Sequence, residues 1–398
     1  MHLLFVTSLV PDGEPTTGYE IANQSIVDAL RRNGVKVTSL GFNWVNRTPR
    51  DIHDTIILGE VDVRSESAGP ADKAKWVATA FANSLTISSA KLRIVTEEQI
   101  RSAINKAEPF DGYVINGVTI AGAFQNLFKD KPSLYVAHNV ESLSAEENAV
   151  TANSGLKRYF FRREAKLLRD LELSLTARAA CTFALAEEDR APLNVSASDR
   201  SVVMPLIIKR EPTEMMPQRH IVFDAGLIGT WTWQPNRVGL EWFLREVVPH
   251  LPADFSIAVA GQVPSGFHAM PRQVKVLGRV QSAVEFVRSC AVIPLVSQSG
   301  TGVQLKSIET FELGLPSVAT NRSLRGISDI PQNCVRLDDP KLFAKALVDL
   351  ARSVRDGDLR DQNGYEFHAR QIERQDKAVK AALGLMSLQL SATSRKAA

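Results

Sequence analysis

The sequence contains few cysteines and no long apolar run. Its cysteines are odd in number and widely spaced, without a C-x-x-C motif: Cys181, Cys290 and Cys334. This pattern argues against a disulfide framework or a structural zinc site, and it predicts a cytoplasmic protein. The longest uncharged runs, residues 76–90, 112–128 and 289–305, contain polar residues and stay below the ~20 apolar residues of a membrane span.

Charge of one sign is not in excess either. Among 398 residues, 47 Lys and Arg stand against 44 Asp and Glu, so the net charge is +3. A nearly neutral chain has no extensive basic surface, and we expect no nucleic-acid partner. Hydrophobic residues make up 44% of the sequence, which suffices for a substantial core, and the length corresponds to about two to three domains.

Short apolar runs alternate with amphipathic segments, which is typical of βαβ units. The first run, residues 2–8, follows no cation and is interpreted as a buried strand rather than a signal peptide. The polar segment 209–220 contains two prolines and is interpreted as a linker. We predict an α/β protein with two doubly wound, Rossmann-like domains, 1–208 and 221–370, facing a central cleft that binds ligands. A helix and a frayed tail are expected over 371–398.

A Gly-rich turn gives the strongest local signal of a binding site. A predicted strand ends at Leu295, and Ser299-Gly300-Thr301-Gly302 leads into a predicted helix over 303–313. Glycines let backbone amides approach a ligand, and a helix N-terminus favours anions. Lys306 could then contact phosphate oxygens, and Glu309, one turn further, could accept sugar hydroxyls. The spacing fits a solvated Lys–Glu pair after a tight turn equally well.

Other motifs for phosphate binding or hydrolysis are missing. The sequence has no Walker A string, no H-E-x-x-H and no G-x-S-x-G. A G-x-G-x-x-G motif fails at Leu305, which stands in place of the third glycine. The D-x-D string Asp356-Gly357-Asp358 does not follow a buried strand, so we expect a surface turn there and no metal site.

Three segments together resemble a known enzyme family. They are VAHNVES (136–142), GLIGTWTWQPNRVGLEWFLREVVPHL (226–251) and the segment 292–320 around the Gly-rich turn. In this order they are similar to GT-B-fold glycosyltransferases of the retaining family four, also called group one. Within that family they look most like enzymes of bacterial exopolysaccharide assembly. The similarity extends from the first strand to about residue 352.

The resemblance implies three groups that take part in catalysis. The family's cleft histidine matches His138, which would face the transferred sugar. The basic residue that contacts the diphosphate matches Arg237, and Lys306 fits a G-[ST]-G-x-x-L-K variant of the donor loop. A histidine at a strand end is also compatible with a structural role.

The resemblance further implies the residues that hold the donor nucleotide: Gly18, Gly278, Arg279, Gly300, Thr301, Gly302 and Glu309. Arg279 would border the base, although a surface loop cation is an equally good reading, and Glu309 would hold the ribose. Relatives usually have two glycines in the first loop, where this chain has Thr17 and Gly18. Relatives usually also have a glutamate at the position of Thr301, and this glutamate orients the donor sugar. Thr301 is therefore a departure from the family pattern.

The implied reaction transfers a hexosyl group from a nucleoside diphosphate sugar to a saccharide or lipid-linked acceptor, with retention of configuration. In the resembled family the diphosphate oxygen is thought to take the acceptor's proton, while cationic groups stabilise the charge that grows on the diphosphate. No cofactor and no metal are expected. Two other functions stay open, a sugar-nucleotide 2-epimerase of the same fold and a non-catalytic GT-B-like binding protein.

The segment 155–175 predicts a basic amphipathic helix. Its cations recur at helical spacing on one stripe: Arg158, Arg162, Lys166 and Arg169. A second stripe is apolar: Phe161, Ala165, Leu168 and Leu175. Such a helix can lie on the anionic inner face of a membrane, or it can dock on its own sheet with a solvated basic face. The docked arrangement is favoured.

Overall fold

The computed structural model describes residues 1–15, 17–63, 68–208, 219–263 and 270–397. The chain divides into two compact units. The first comprises Met1–Leu206 with Ile372–Ala398, and the second comprises Ile207–Gln371. Of the predicted linker 209–220, residues 209–218 lie outside the described residues.

The first unit is built on a seven-stranded parallel sheet with strand order β3-β2-β1-β4-β5-β6-β7. Its strands are β1 His2–Leu9, β2 Lys36–Trp44, β3 Thr55–Val61, β4 Gly112–Asn116, β5 Ser133–Ala137, β6 Cys181–Ala184 and β7 Ser201–Val203. Its helices are α1 Gly18–Arg32, α2 Pro70–Ala82, α3 Ile87–Lys91, α4 Glu97–Ala107, α5 Thr119–Ala123, α6 Glu141–Thr151 and α7 Gly155–Arg178. Parallel strands covered by helices on both faces read as continuous apolar runs, and β4, β5 and β6 show this pattern.

The second unit repeats this plan with a six-stranded parallel sheet of order β10-β9-β8-β11-β12-β13. Its strands are β8 Phe223–Thr230, β9 Ile257–Gln262, β10 Val274–Gly278, β11 Cys290–Leu295, β12 Ser317–Ala319 and β13 Cys334–Arg336. Its helices are α8 Gln234–Trp242, α9 Ala283–Arg288, α10 Leu305–Glu312 and α11 Pro340–Asp356, and α12 Gly364–Ala397 begins here and ends in the first unit.

Each sheet has a point where the strand order changes direction. In the first unit the chain moves outward from β1 to β2 and β3, then returns to place β4 on the other side of β1. In the second unit β8 and β11 hold the same relation. Ligands of doubly wound sheets bind at the carboxyl ends of such strand pairs. The fold therefore marks one candidate position in each unit.

Some elements differ from the sequence predictions. The helix α10 begins at Leu305 rather than Val303, because residues 300–304 form the turn that precedes it. The helix expected within 371–398 begins earlier, because α12 starts at Gly364 and continues to Ala397. Gly357 has φ +80° and ends α11 between exposed Asp356 and Asp358. The D-x-D string is therefore an exposed turn, as predicted.

Candidate functional site

A pocket of the second unit opens at the carboxyl ends of β8 and β11. Trp231 directly follows β8, and Ser297 lies two residues beyond β11. Its lining also includes residues at the start of α8 and along α10, with Gln304 just before it: Pro235, Asn236, Gln304, Lys306, Ser307, Glu309 and Thr310. The pocket thus lies where the strand order changes direction, which is the position that the topology marks for a ligand.

Lys306 brings a partly buried cation to this pocket. Its Nζ lies 4.9 Å from the centre of the Trp231 ring, and Trp231 is itself fixed by a 2.8 Å hydrogen bond from Nε1 to the carbonyl of Ala260. A Cβ on Gly229 would lie 2.6 Å from Nζ, so the missing side chain leaves room for the ammonium group. Burial lowers the pKa of Lys306 to about 8, and the negative charge of Glu309 partly opposes this shift. At neutral pH the group is still mainly protonated.

Glu309 lines the same pocket one helical turn beyond Lys306. The spacing of three residues puts both side chains on one face of α10, as the sequence indicated. Thr310, one turn beyond Lys306, donates from Oγ1 to the carbonyl of Lys306 at 2.7 Å. The pocket therefore offers a cation and a carboxylate side by side, which suits a phosphate next to sugar hydroxyls.

The Gly-rich turn lies beside this pocket. Gly300 has φ +101°, a backbone conformation that favours glycine, and its Cβ position would be 3.9 Å from Pro235 Cβ. Thr301 is buried, with 6% of its surface exposed. Ser297 and Gln304, on either side of the turn, line the pocket, whereas residues 300–302 are not part of its lining.

The remaining predicted residues of the second unit lie outside the pocket lining. Arg237 is partly exposed on α8, where its Nε is 3.7 Å from the Glu241 carboxylate. Gly278, with φ +68°, ends the edge strand β10, and Arg279 after it is exposed. Because β9 separates β10 from β8, these two residues lie two strands away from β8 along the sheet.

The first unit carries a polar cluster at its own change of strand order. His138 follows β5, and its Nε2 lies 2.8 Å from Asn116 Oδ1 at the end of β4. Asn116 Nδ2 donates to Asn23 Oδ1 at 2.7 Å, so Asn116 Oδ1 must be the acceptor for the histidine. His138 Nε2 therefore carries the proton, and Nδ1 holds the lone pair. Burial lowers the pKa of His138 to about 4, which keeps the ring neutral.

Tyr19 completes this cluster and was not predicted. Its ring centre lies 4.7 Å from that of His138, and its hydroxyl is 2.9 Å from both Thr7 Oγ1 and Ser8 Oγ. The preceding Gly18 begins α1, whose capping box is formed by Thr17 and buried Glu20. Gly18 is therefore the first residue of α1, and the side chain of the following residue, Tyr19, packs against His138.

The rest of the HNVES string starts α6. The buried carboxylate of Glu172 accepts the Glu141 N–H at 2.6 Å through Oε1 and the Ser142 hydroxyl at 2.6 Å through Oε2. Burial, and secondly the charge of Glu172, raise the pKa of Glu141 to about 7. The string therefore combines a strand end that carries His138 with a capped helix start.

Helix α7 is docked on its own unit, as favoured from the sequence. Three residues of its apolar stripe are buried: Ala165, Leu168 and Leu175. The cations of the basic stripe are exposed: Arg158, Arg162, Lys166 and Arg169. Near the start of the helix, apolar side chains are exposed too: Val150 by 82%, Leu156 by 68% and Tyr159 by 60%. No helix among the described residues is long and apolar enough to cross a membrane.

The comparisons with known proteins agree with this architecture. Residues 223–353 match the family of glycosyl transferases group 1. Sucrose-phosphate synthase from Thermosynechococcus elongatus is 13% identical, with a TM-score of 0.62 over 98% of this chain and 99% of that one. HepE of Anabaena, in complex with UDP, is 12% identical, with a TM-score of 0.56 over 98% and 100%. No curated protein sequence matches significantly.

A third similar structure is WaaG, a glycosyltransferase involved in lipopolysaccharide biosynthesis. It is 15% identical to this chain, with a TM-score of 0.54 over 93% of this chain and 99% of that one. At such identities the likeness establishes the fold, and the family match covers the second unit, where the pocket lies. Together they confirm the resemblance and the α/β fold class that the sequence predicted.

Proposed function

We propose that this chain, a group 1 glycosyltransferase of GT-B fold, transfers a hexosyl group from a UDP-sugar to a saccharide or lipid-linked acceptor with retention of configuration. The observation that carries the proposal is the pocket at the ends of β8 and β11, where Lys306 and Glu309 lie side by side within the matched segment 223–353. The choice of UDP is supported by HepE, whose structures contain UDP or UDP-glucose.

In this proposal Lys306 stabilises the leaving diphosphate. As the bond between the sugar and the diphosphate breaks, negative charge grows on the diphosphate and positive charge on the sugar ring. A protonated lysine held in a poorly hydrated site stabilises that negative charge more strongly than an exposed one, because it is less screened by water. Arg237 stays a second candidate for this role, and Glu309 would accept hydroxyls of the ribose. Gly278 and Arg279 would border the base.

We further propose that His138 contacts the transferred sugar. Its Nδ1 is left as a hydrogen-bond acceptor by the contact between Nε2 and Asn116, so a sugar hydroxyl is the group that it suits. A retaining transfer of this kind needs no protein base, because the departing diphosphate oxygen can take the acceptor's proton. We propose that no cofactor takes part, since Lys306 supplies positive charge where the diphosphate would lie.

The acceptor side carries a proposal of its own. We propose that the enzyme works in the cytoplasm and contacts the inner face of the membrane through segment 155–175, which would bring it to a lipid-linked acceptor. The exposed stripe of four cations suits anionic headgroups, and exposed Leu156 and Tyr159 suit the boundary with the acyl chains.

Hydrolysis of a panel of UDP-, GDP- and ADP-sugars tests the function. We expect slow release of sugar from at least one UDP-sugar, in the presence or absence of EDTA, and a rise in melting temperature with UDP. Lys306→Ala should lower the rate of sugar release about a hundredfold and reduce the rise in melting temperature, whereas Lys345→Ala, at an exposed lysine of α11, should change neither. Inversion at C2 without release would indicate an epimerase. Binding without any turnover would indicate a non-catalytic protein.

A further inference from the structure

The carbonyl groups around the Gly-rich turn are held by side chains. The Ser297 carbonyl accepts from Thr320 Oγ1 at 2.6 Å, and the Gly302 carbonyl accepts from Gln304 Nε2 at 3.2 Å. The carbonyl of Thr301 accepts from Arg325 Nε at 2.7 Å. Among the described residues, the backbone N–H groups of Gly302 and Val303 have no protein acceptor. In this turn, side chains therefore hold the carbonyl oxygens, while the N–H groups of Gly302 and Val303 are available to a ligand.

These contacts determine where the available N–H groups point. In a trans peptide the carbonyl of one residue and the N–H of the next point in opposite directions. Because Arg325 holds the carbonyl of Thr301, the N–H of Gly302 points away from Arg325. In the same way, the contact from Gln304 directs the N–H of Val303 away from that side chain. Successive backbone N–H groups in a turn are a known kind of anion-binding site.

Arg325 reaches the turn from the loop after β12, the neighbour of β11 in the sheet. The same loop anchors the segment elsewhere: Ser323 Oγ accepts the N–H of Ser297 at 2.8 Å, and the Ser323 carbonyl accepts from Ser307 Oγ at 2.6 Å. Gly326, with φ +73°, turns the chain directly after Arg325. The loop 320–326 thus supports the turn along its whole length, and Arg325 supports it at Thr301.

We infer that Arg325 is a positioning residue for the donor, and that it acts by fixing the peptide between Thr301 and Gly302. This inference rests on the proposed function, because it assumes that the turn receives the diphosphate. It also gives residue 301 a role that differs from a direct sugar contact. Thr301 is buried, and its backbone carbonyl is the group that Arg325 holds.

Two substitutions separate a hydrogen-bonding role from a purely electrostatic one. In Arg325→Gln the amide nitrogen occupies the same place along the side chain as Nε, so it keeps an N–H donor for the Thr301 carbonyl but removes the charge. In Arg325→Met the terminal methyl group stands at that place, which removes both the donor and the charge. We expect the Kd for UDP, measured calorimetrically, to rise about tenfold in Arg325→Met and about twofold or less in Arg325→Gln. The KM for the donor should follow the Kd.

Equal losses of UDP affinity in both variants would overturn the inference in favour of a charge contact, and unchanged affinity in Arg325→Met would overturn it altogether. Circular dichroism without ligand checks the fold of each variant, and Arg325→Ala replaces Arg325→Met if the latter does not fold. Failure of the wild-type protein to bind any nucleoside diphosphate would instead reject the proposed function, and this inference with it. The two failures are therefore distinguishable.

Discussion

The surroundings of the Lys306 side chain suit a residue that binds a diphosphate. An ammonium group loses hydration when it is buried, which the lowered pKa of about 8 expresses. An arriving diphosphate restores the lost stabilisation, because it supplies negative charge where water is scarce. Glu309 already supplies part of this charge and keeps the pKa of Lys306 from falling further. The two residues should therefore differ in what they contribute to the reaction.

Substitution of the two residues should have different kinetic consequences. Lys306→Ala should lower kcat about a hundredfold, because it removes a group that stabilises charge developing in the transition state. Glu309→Ala should raise the KM for the donor with little change in kcat, because ribose contacts are the same in ground and transition states. Steady-state kinetics with a UDP-sugar measures both. If both variants had kcat and KM values near those of the wild type, Lys306 and Glu309 would be a solvated pair without a role in the reaction.

The lowered pKa of Lys306 also predicts how UDP binding depends on pH. Above about pH 8 the free protein loses the proton from Lys306, while the diphosphate, fully ionised there, still requires the charged form. The Kd for UDP should therefore rise above pH 8, by up to tenfold per pH unit. Lys306→Arg, whose guanidinium stays charged, should show no such rise. A parallel rise in this variant would assign the effect to another group.

At the scale of elements, the sites arise where loops from neighbouring strands meet. His138 follows β5, Asn116 ends β4, and Tyr19 lies in the first turn of α1, which follows β1. The cluster therefore exists only because the sheet places β1, β4 and β5 side by side. Arg325 and the Gly-rich turn meet in the same way across β11 and β12.

The cluster around His138 should keep that histidine neutral well below pH 6. NMR titration should give His138 an apparent pKa of about 4, because burial disfavours the charged ring. The unfolded chain binds this proton near pH 6.5, so the free energy of unfolding should fall as pH falls from about 6.5 to 4. His138→Gln identifies the resonance and should weaken this pH dependence. A measured pKa near 6.5 for His138 would contradict this prediction, because it would mean that water hydrates the ring.

The exposed face of α7 should bind anionic liposomes at low salt. Sedimentation should fall as salt rises, because charge attraction is screened over ~8–10 Å at physiological ionic strength. Four changes to Gln should abolish binding, at about 1 kcal/mol per cation, without affecting donor hydrolysis: Arg158, Arg162, Lys166 and Arg169. A matched control changes four exposed cations elsewhere in the first unit: Lys36, Arg101, Lys106 and Lys129. Equal sedimentation of both variants would contradict membrane contact through α7.

The buried strands could be predicted from the sequence, and the shorter edge elements could not. The strand predicted over 2–8 is β1 His2–Leu9, and the strand predicted to end at Leu295 is β11 Cys290–Leu295, because both are largely apolar runs. The strand β13 has only three residues, and β3 is partly exposed and contains a glutamate, so neither has a clear periodic signal.

The site could be predicted only where its residues are close in sequence. The proximity of Lys306 and Glu309 follows from helical spacing. Asn116 and Tyr19 are 97 residues apart, and Arg325 lies 24 residues from the carbonyl that it holds. Their meeting depends on strand order, which local patterns do not encode. An asparagine that ends an otherwise apolar strand was the available signal for Asn116.

At the scale of the whole molecule, the chain uses one plan twice with different chemistry. Both units have a parallel sheet with one change in strand order, and both place polar side chains beside it. The first unit presents a neutral histidine, whereas the second presents a buried ammonium group next to a carboxylate. This difference is why we assign the diphosphate to the second unit and a sugar hydroxyl to the first.

A crystal structure with UDP tests this assignment most directly. The account predicts UDP in the second unit, with a phosphate oxygen within hydrogen-bond distance of Lys306 Nζ, the diphosphate against the N–H groups of Gly302 and Val303, and the ribose at Glu309. UDP bound only to the first unit, or in the second unit away from Lys306, would contradict it.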